Sequence, residues 1–308
     1  MKKMIIIISL LMIMLIIGGA CYYLHLNKVV RACQQILVNL KRITSIVSKG
    51  KIAIAKSFAI VLNADGTLSL IGNNEKFRQL HHPSGLSKVA ASFEGYMALT
   101  NSGNVVTGGN ACAFKKAWDI EKLQNVKDIV ASEGHTLALL ENGQIECIDE
   151  DGGWEGVPQH SKIVKRWLNV KQLAVGFNNV IALTNDGRVL YHSEDPYTNT
   201  HFYNNFSNVV QVDCYSHYYG ADYSAVLHSD GTVSSDSFEG VNMWKDIIQI
   251  SVGADIIIGL KRDGTIEMID NRRTRYKAKE WKNISCIECK FFGVVGITNQ
   301  GEILSIMQ

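Results

Sequence analysis

Two stretches decide the fold. Trp167-Leu-Asn-Val-Lys-Gln-Leu-Ala-Val-Gly-Phe-Asn-Asn-Val-Ile-Ala-Leu-Thr-Asn-Asp-Gly187-Arg-Val-Leu190 aligns without a gap to Trp244-Lys-Asp-Ile-Ile-Gln-Ile-Ser-Val-Gly-Ala-Asp-Ile-Ile-Ile-Gly-Leu-Lys-Arg-Asp-Gly264-Thr-Ile-Glu267. Each holds two short apolar, β-branched runs, as in Val170, Leu173 and Val175 followed by Ile181 and Leu183, the composition of strands that pack on a pleated surface. Asn185-Asp186-Gly187 follows the second run. Glycine suits a hairpin turn there, because the turn needs positive φ.

The register extends outward from these two copies. Asn125-Val-Lys-Asp-Ile-Val-Ala-Ser-Glu-Gly-His-Thr-Leu-Ala-Leu-Leu-Glu-Asn-Gly143 keeps it, and the turn glycines number seven: Gly66, Gly103, Gly143, Gly187, Gly231, Gly264 and Gly301. Their spacings run from 33 to 44 residues. A small residue (Ala98, Ala138, Ala182, Gly259 or Gly296) precedes the apolar residue leading into the turn, which suits a strand near the crowded axis of a ring. Units of about 40 residues with several short strands each fit propeller blades. A solenoid would need atypical polar caps, whereas a closed ring needs none. A strand around Ile43-Thr-Ser-Ile46 is expected to complete the last blade.

The N-terminus reads differently. Met4–Leu24 is an uncharged, almost wholly apolar run of 21 residues behind Lys2-Lys3, long enough to cross a bilayer as a helix, which takes roughly 20. Gly18-Gly19-Ala20-Cys21 leaves open a lipoprotein alternative, with lipid on Cys21 after cleavage. Leu26, Val29, Val30, Cys33, Ile36, Leu37 and Leu40 then recur at helical spacing, predicting an amphipathic linker helix. Lys2 and Lys3 nearly balance Lys28 and Arg31 across the span, so the charge rule for orientation is almost tied. The expectation is a short tail inside and the propeller outside.

The sequence thus predicts an all-β chain: a seven-bladed β-propeller at 41–308, behind a transmembrane anchor at 1–24 and a helical linker at 25–40. Subtracting the four basic residues of 1–40 from 31 leaves 27 basic against 29 acidic in the rest. Such a near-neutral body lacks the basic footprint of nucleic-acid binding. Seven cysteines at unlike positions are no disulfide framework. Cys286 and Cys289 fall three apart on a strand, facing opposite sides.

As a set, the units resemble the regulator-of-chromosome-condensation repeat in its bacterial form, Trp-x-[Asp/Asn]-[Ile/Val]-x-x-[Ile/Val]-x-x-Gly…[Ala/Gly]-Leu-x-x-Asp-Gly-x-[Val/Ile]. Gly72-Asn73-Asn74-Glu75 with Gln79-Leu80, the remnant Gly109-Asn110, and Gly134-His135-Thr136 resemble further steps of that family. The resemblance covers residues 41–308 and implies a seven-bladed propeller, with His135 a packing residue. The family's best-known activity is guanine-nucleotide exchange on a nuclear GTPase, but nothing in this chain matches the wedge such a member uses. Other bacterial members resembling it are extracellular or cell-surface binders.

No nucleophile triad, glycine-rich phosphate loop or metal-spaced histidines stand out, so no catalytic residue, cofactor or metal is expected. Trp167, Trp244 and Trp281 begin equivalent strands and read as packing between blades. The fifth unit departs from its siblings: Asp213-Cys-Tyr-Ser-His-Tyr-Tyr-Gly-Ala-Asp-Tyr223 carries extra residues where the others turn. Tyr215, His217, Tyr218, Tyr219 and Tyr223 crowd it, and Tyr197, His201, Phe202, Tyr203 and Phe206 crowd the preceding connection. Exposed aromatics are what protein or glycan recognition uses. Arg272-Arg273-x-Arg275 forms a basic loop that could meet anionic lipid or an acidic partner. The leading expectation is a non-enzymatic module presenting propeller loops to a protein partner at the cell surface. The alternatives are an envelope glycan-binding protein and a regulator of a GTPase.

Overall fold

The computed structural model describes residues 50–72, 85–92, 95–109, 121–132, 135–147, 160–217, 220–271, 276–291 and 293–307. The anchor expected at Met4–Leu24, the linker helix at 25–40 and the strand at 43–46 lie outside these residues. Among the described residues no helix is long and apolar enough to cross a membrane.

The strands follow one plan seven times. Blade one holds β1 (Ile52–Ile54), β2 (Ala59–Leu62) and β3 (Leu68–Ile71), and blade two β4 (Leu86–Ser92), β5 (Gly95–Thr100) and β6 (Val105–Gly109). Blade three holds β7 (Val126–Ser132), β8 (His135–Leu140) and β9 (Ile145–Cys147). Blade four holds β10 (Val170–Val175), β11 (Asn179–Thr184) and β12 (Val189–Ser193). In blade five come β13 (Val209–Tyr215), β14 (Tyr223–His228) and β15 (Val233–Ser234). Blade six has β16 (Ile247–Gly253), β17 (Ile256–Lys261) and β18 (Ile266–Asp270), and blade seven β19 (Ile284–Lys290), β20 (Gly293–Thr298) and β21 (Ile303–Ile306). Each blade is a three-stranded antiparallel sheet in sequence order. A short helix, α1 (Ser161–Val164), precedes blade four.

The first strands form the inner ring: each contacts the next blade's first strand, and β1 also contacts β19. Apolar packing closes the same circle. Seven buried clusters are present, one per blade interface, including the seam where Ile52, Ile54, Ala59 and Val61 meet Cys286 and Val295. Each fully buried aliphatic side chain in them contributes roughly 1.5–3 kcal/mol. Closure leaves no open sheet stack to be capped. This is the arrangement expected of a seven-bladed β-propeller.

The turn glycines hold their predicted place, all seven at φ between 79° and 86°. Gly264 shows why. Its carbonyl accepts the Ile284 amide of the next blade at 3.0 Å, and a Cβ there would lie 3.1 Å from Asn283 Cα. The turn glycine thus supplies both the left-handed backbone and the close approach of two blades. Asn125, Asn169, Asn208, Asp246 and Asn283 begin successive blades in the left-handed region, which Asn and Asp tolerate best after glycine.

The small residue before the turn has a different cause from crowding at the axis. It lies on the middle strand, and a Cβ on Gly259 or Gly296 would sit 2.9 or 3.0 Å from the Trp244 or Trp281 ring. The glycine makes room for the tryptophan, and all three tryptophans pack in or against inter-blade clusters as expected. Cys286 and Cys289 belong to different clusters, on opposite sides of β19. Cys289 Sγ donates to Ser251 O at 3.1 Å, and Cys286 Sγ accepts from Gln249 Nε2 at 3.9 Å.

Candidate functional site

Each blade has two ends. The glycine hairpins lie at one, and the connections from first to second strand lie at the other. In blade six the latter connection is short, with Gly253 paired to Ile256 across residues 254–255. In blade five the ladder closes at Tyr215–Tyr223, leaving 216–222 to form an enlarged loop.

That loop is tied to blade four. Ser216 Oγ accepts the Asn178 amide at 2.7 Å and bonds Asn179 Oδ1 at 3.2 Å, while Ser216 O accepts the Phe177 amide at 3.2 Å. Asn179 Nδ2 donates to Tyr191 Oη at 3.3 Å and to Tyr223 O at 3.4 Å. The Tyr223 hydroxyl then donates to Asp255 of blade six. Three blades thus share one hydrogen-bonded surface.

Asp222 sits near its centre, buried, accepting from the Ser193 hydroxyl and from Thr198 Oγ1 at 3.2 Å. Burial pushes its carboxyl up to about 6, against the lowering effect of those hydroxyls. A histidine cluster gathers where β8 meets the end of β12. The His135 ring, 1% exposed, stands 4.6 Å from His160, and His160 stands 5.5 Å from His192. His160 Nε2 lies 3.1 Å from Phe177 O, and His192 Nε2 lies 3.1 Å from Glu194 Oε1. Burial drives His135 down to about 4 and, with the neighbouring His135 adding to it, His160 down to about 3. Both imidazoles are neutral at physiological pH. The packing expected of His135 is observed, but its neighbours were not foreseen. His160 comes from the connection before blade four, whereas His192 and Glu194 stand two residues apart at the end of β12, far from it in the sequence.

The aromatics divide. Tyr203 and Tyr215, each 1% exposed, are core residues and offer no surface. Tyr203 packs edge-on against Tyr191, Phe202 and Phe206, with its hydroxyl donating to Ser224 Oγ at 2.9 Å. Tyr215 meets the Phe291 ring at 5.8 Å. Burying them satisfies the apolar demand of the irregular blade, which the density of aromatics in the sequence also reflects. Phe202 and Tyr223 are half-buried, and His217 is exposed. Tyr218 and Tyr219, like Arg272, Arg273 and Arg275, fall outside the described residues. Among the described residues the most exposed aromatic is Tyr197 at 95%, whose amide donates to Asp195 Oδ1 at 3.0 Å.

This end of the propeller offers imidazoles, amides, hydroxyls and carboxylates in fixed positions. A serine–imidazole contact exists elsewhere, His228 Nε2 with Ser234 Oγ at 2.9 Å, at the hairpin end of blade five. There Nδ1 faces Ser207 O, a main-chain carbonyl, at 3.4 Å, rather than the carboxylate of a hydrolytic triad.

No protein-family model matches the chain, and no curated protein does. Solved structures do. The CRINKLY WD40 ectodomain of the Arabidopsis thaliana receptor kinase ACR4 is similar, with TM-score 0.64 and 13% identity, covering 83% of this chain and 93% of that one. The entire ectodomain of the Physcomitrella patens receptor kinase CR4 gives 0.58 at 12% identity, covering 83% and 72%. A structure of Kap60 bound to yeast RCC1 (Prp20) gives 0.49 at 12%, covering 71% and 69%. At such identities the likeness with the two ectodomains is one of fold, and it supports a propeller built of repeats.

Proposed function

We propose that this chain is a non-enzymatic interaction module, anchored at the membrane by Met4–Leu24, which presents one end of its propeller to a protein partner at the cell surface. The observation that carries it is the enlarged 216–222 connection, fastened across blades four to six where a sibling has only a two-residue turn. A pre-organised surface loses less entropy on binding than a mobile one. Exposed His217 on that connection, with Tyr197 and His201 on the connection that precedes blade five, supplies contact groups. The sequence resemblance leads us to place the chain as a divergent member of the regulator-of-chromosome-condensation-like repeat family in its bacterial form. The repeated glycine register supports that placement.

The test uses the full chain in its native membrane. Proteins co-purifying with wild type should be depleted at least tenfold by Tyr197→Ala combined with His217→Ala. Retention of the same proteins by the double variant would remove this face from the account. Turnover of a small substrate, lost on one polar substitution, would show an enzyme instead. A glycan-binding role is the second reading, favoured by the exposed Tyr197 side chain on a turn where Asp195 accepts from the Tyr197 amide and the Thr198 hydroxyl. Cell-wall polymer retained by wild type and released by Tyr197→Ala would select it.

A further inference from the structure

We propose that His160, His192 and Glu194 form a binding site for a divalent transition-metal ion of the zinc class. One nitrogen of each histidine and a carboxylate oxygen of Glu194 lie within 4.8 Å of one another. Zinc bonds imidazole nitrogen and carboxylate oxygen at about 2.0–2.2 Å, which sets donors roughly 3.3 Å apart. The three groups therefore close on an ion with side-chain adjustments of about an ångström. A mixed set of two imidazoles and one carboxylate selects zinc and its neighbours over calcium or magnesium, which favour all-oxygen sites.

The surroundings are those of a metal ligand shell. His160 is fully buried, and its Nε2 faces Phe177 O at 3.1 Å. A proton on Nε2 satisfies that carbonyl and leaves the Nδ1 lone pair, which is buried with no hydrogen-bond partner. Metal-bound histidines commonly donate their second ring nitrogen to a backbone carbonyl in this way. His135, whose ring stands 4.6 Å away, fixes the imidazole plane as a positioning residue. Glu194 is held by its amide, which donates to Asn178 O at 2.9 Å, and Asn178 is in turn fixed by Ser216 Oγ. His192 lies in the ladder opposite Val180.

The site is buried on one side and open on the other. His160 is fully buried, whereas the side chains of His192 and Glu194 are 19% and 44% exposed. An ion enters from the solvent side, and three protein ligands leave a fourth position there for water or for a donor from a partner. The site lies on the same blade-four connections as the proposed interaction face, yet its existence does not depend on that function.

The test is a zinc titration of the tag-free full chain after chelator treatment, read by competition with a chromophoric indicator and by cobalt absorption bands. One equivalent is expected, with four-coordinate cobalt bands and a melting temperature that rises with zinc concentration. His160→Gln, His192→Gln and Glu194→Gln should each weaken binding at least tenfold. Glu194→Gln, at an exposed position, keeps the fold if His160→Gln does not, and it should abolish the thermal shift. Absence of a stoichiometric equivalent in wild type overturns the proposal. So does wild-type affinity in Glu194→Gln and His192→Gln, which would assign the metal to the thiols.

Discussion

Gln211 makes a two-bond ring with Ile250 of the next blade: Nε2 donates to the Ile250 carbonyl at 2.7 Å, and Oε1 accepts the Ile250 amide at 2.9 Å. Gln249 repeats the ring on Ile287 at 2.8 and 3.1 Å, and Gln172 makes one such bond to Val212 at 3.2 Å. Each follows a bulge near the start of its first strand. Blades two and three place Lys88 and Asp128 at the equivalent post-bulge positions, joined as an ion pair. The inner strands of adjacent blades form no shared sheet, so these side chains supply the main-chain partners that a ladder would.

Gln211→Ala strips both bonds from a buried stretch of backbone. Leaving a buried donor and acceptor unsatisfied costs about 1–3 kcal/mol each. Urea unfolding should show a loss of about 2–4 kcal/mol, and a loss below that of an exposed control such as Lys127→Ala would count against the girdle.

Gly264→Ala and Gly301→Ala separate two uses of glycine. Both sit at φ 84°, but a Cβ on Gly264 meets Asn283 Cα at 3.1 Å whereas nothing lies within 4 Å of one on Gly301. Gly301→Ala should cost only the backbone strain, about 1 kcal/mol. Gly264→Ala should cost about 1–2 kcal/mol more, because two blades must part. Equal losses in thermal unfolding would refute the inter-blade role.

Asp222→Asn tests the buried carboxyl. Its folded value, near 6, lies above the ordinary 3.8. Between those values the folded state holds the extra proton, so its stabilising contribution is intact below about 4 and lost as pH rises through 6. Asparagine never ionises. The stability of the variant relative to wild type should therefore rise by about 2–3 kcal/mol from pH 4 to pH 7. The buried histidines act in the opposite direction, losing stability as pH falls below 6.5, but they cancel in this difference. A flat difference, measured with chelator present, would contradict the assignment.

The repeat was legible because its signals are local. Asp65-Gly66, Asp230-Gly231 and Asp263-Gly264 each place a carboxylate where the following threonine amide bonds it at 2.9–3.0 Å, and such turns are written in consecutive residues. The enlarged fifth blade was legible for the same reason, as extra length. Burial was not. Tyr203 and Tyr215 read as surface aromatics because no local pattern shows which neighbours will cover them. His135, His160 and His192 meet only after two blades close on each other, so each alone reads as a solitary histidine. Gly259 was placed correctly and explained wrongly, since the ring it accommodates, Trp244, lies fifteen residues earlier in the chain.

The central claim is that the end of the propeller bearing the 216–222 connection binds a protein partner. Photo-crosslinking residues placed in the full chain test it directly, one at Tyr197 and one at Leu168, which is 74% exposed and enters β10 at its opposite end. Irradiation of intact cells should give one discrete adduct from Tyr197 and none from Leu168. Adducts from Leu168 alone, or from neither position, would contradict the account.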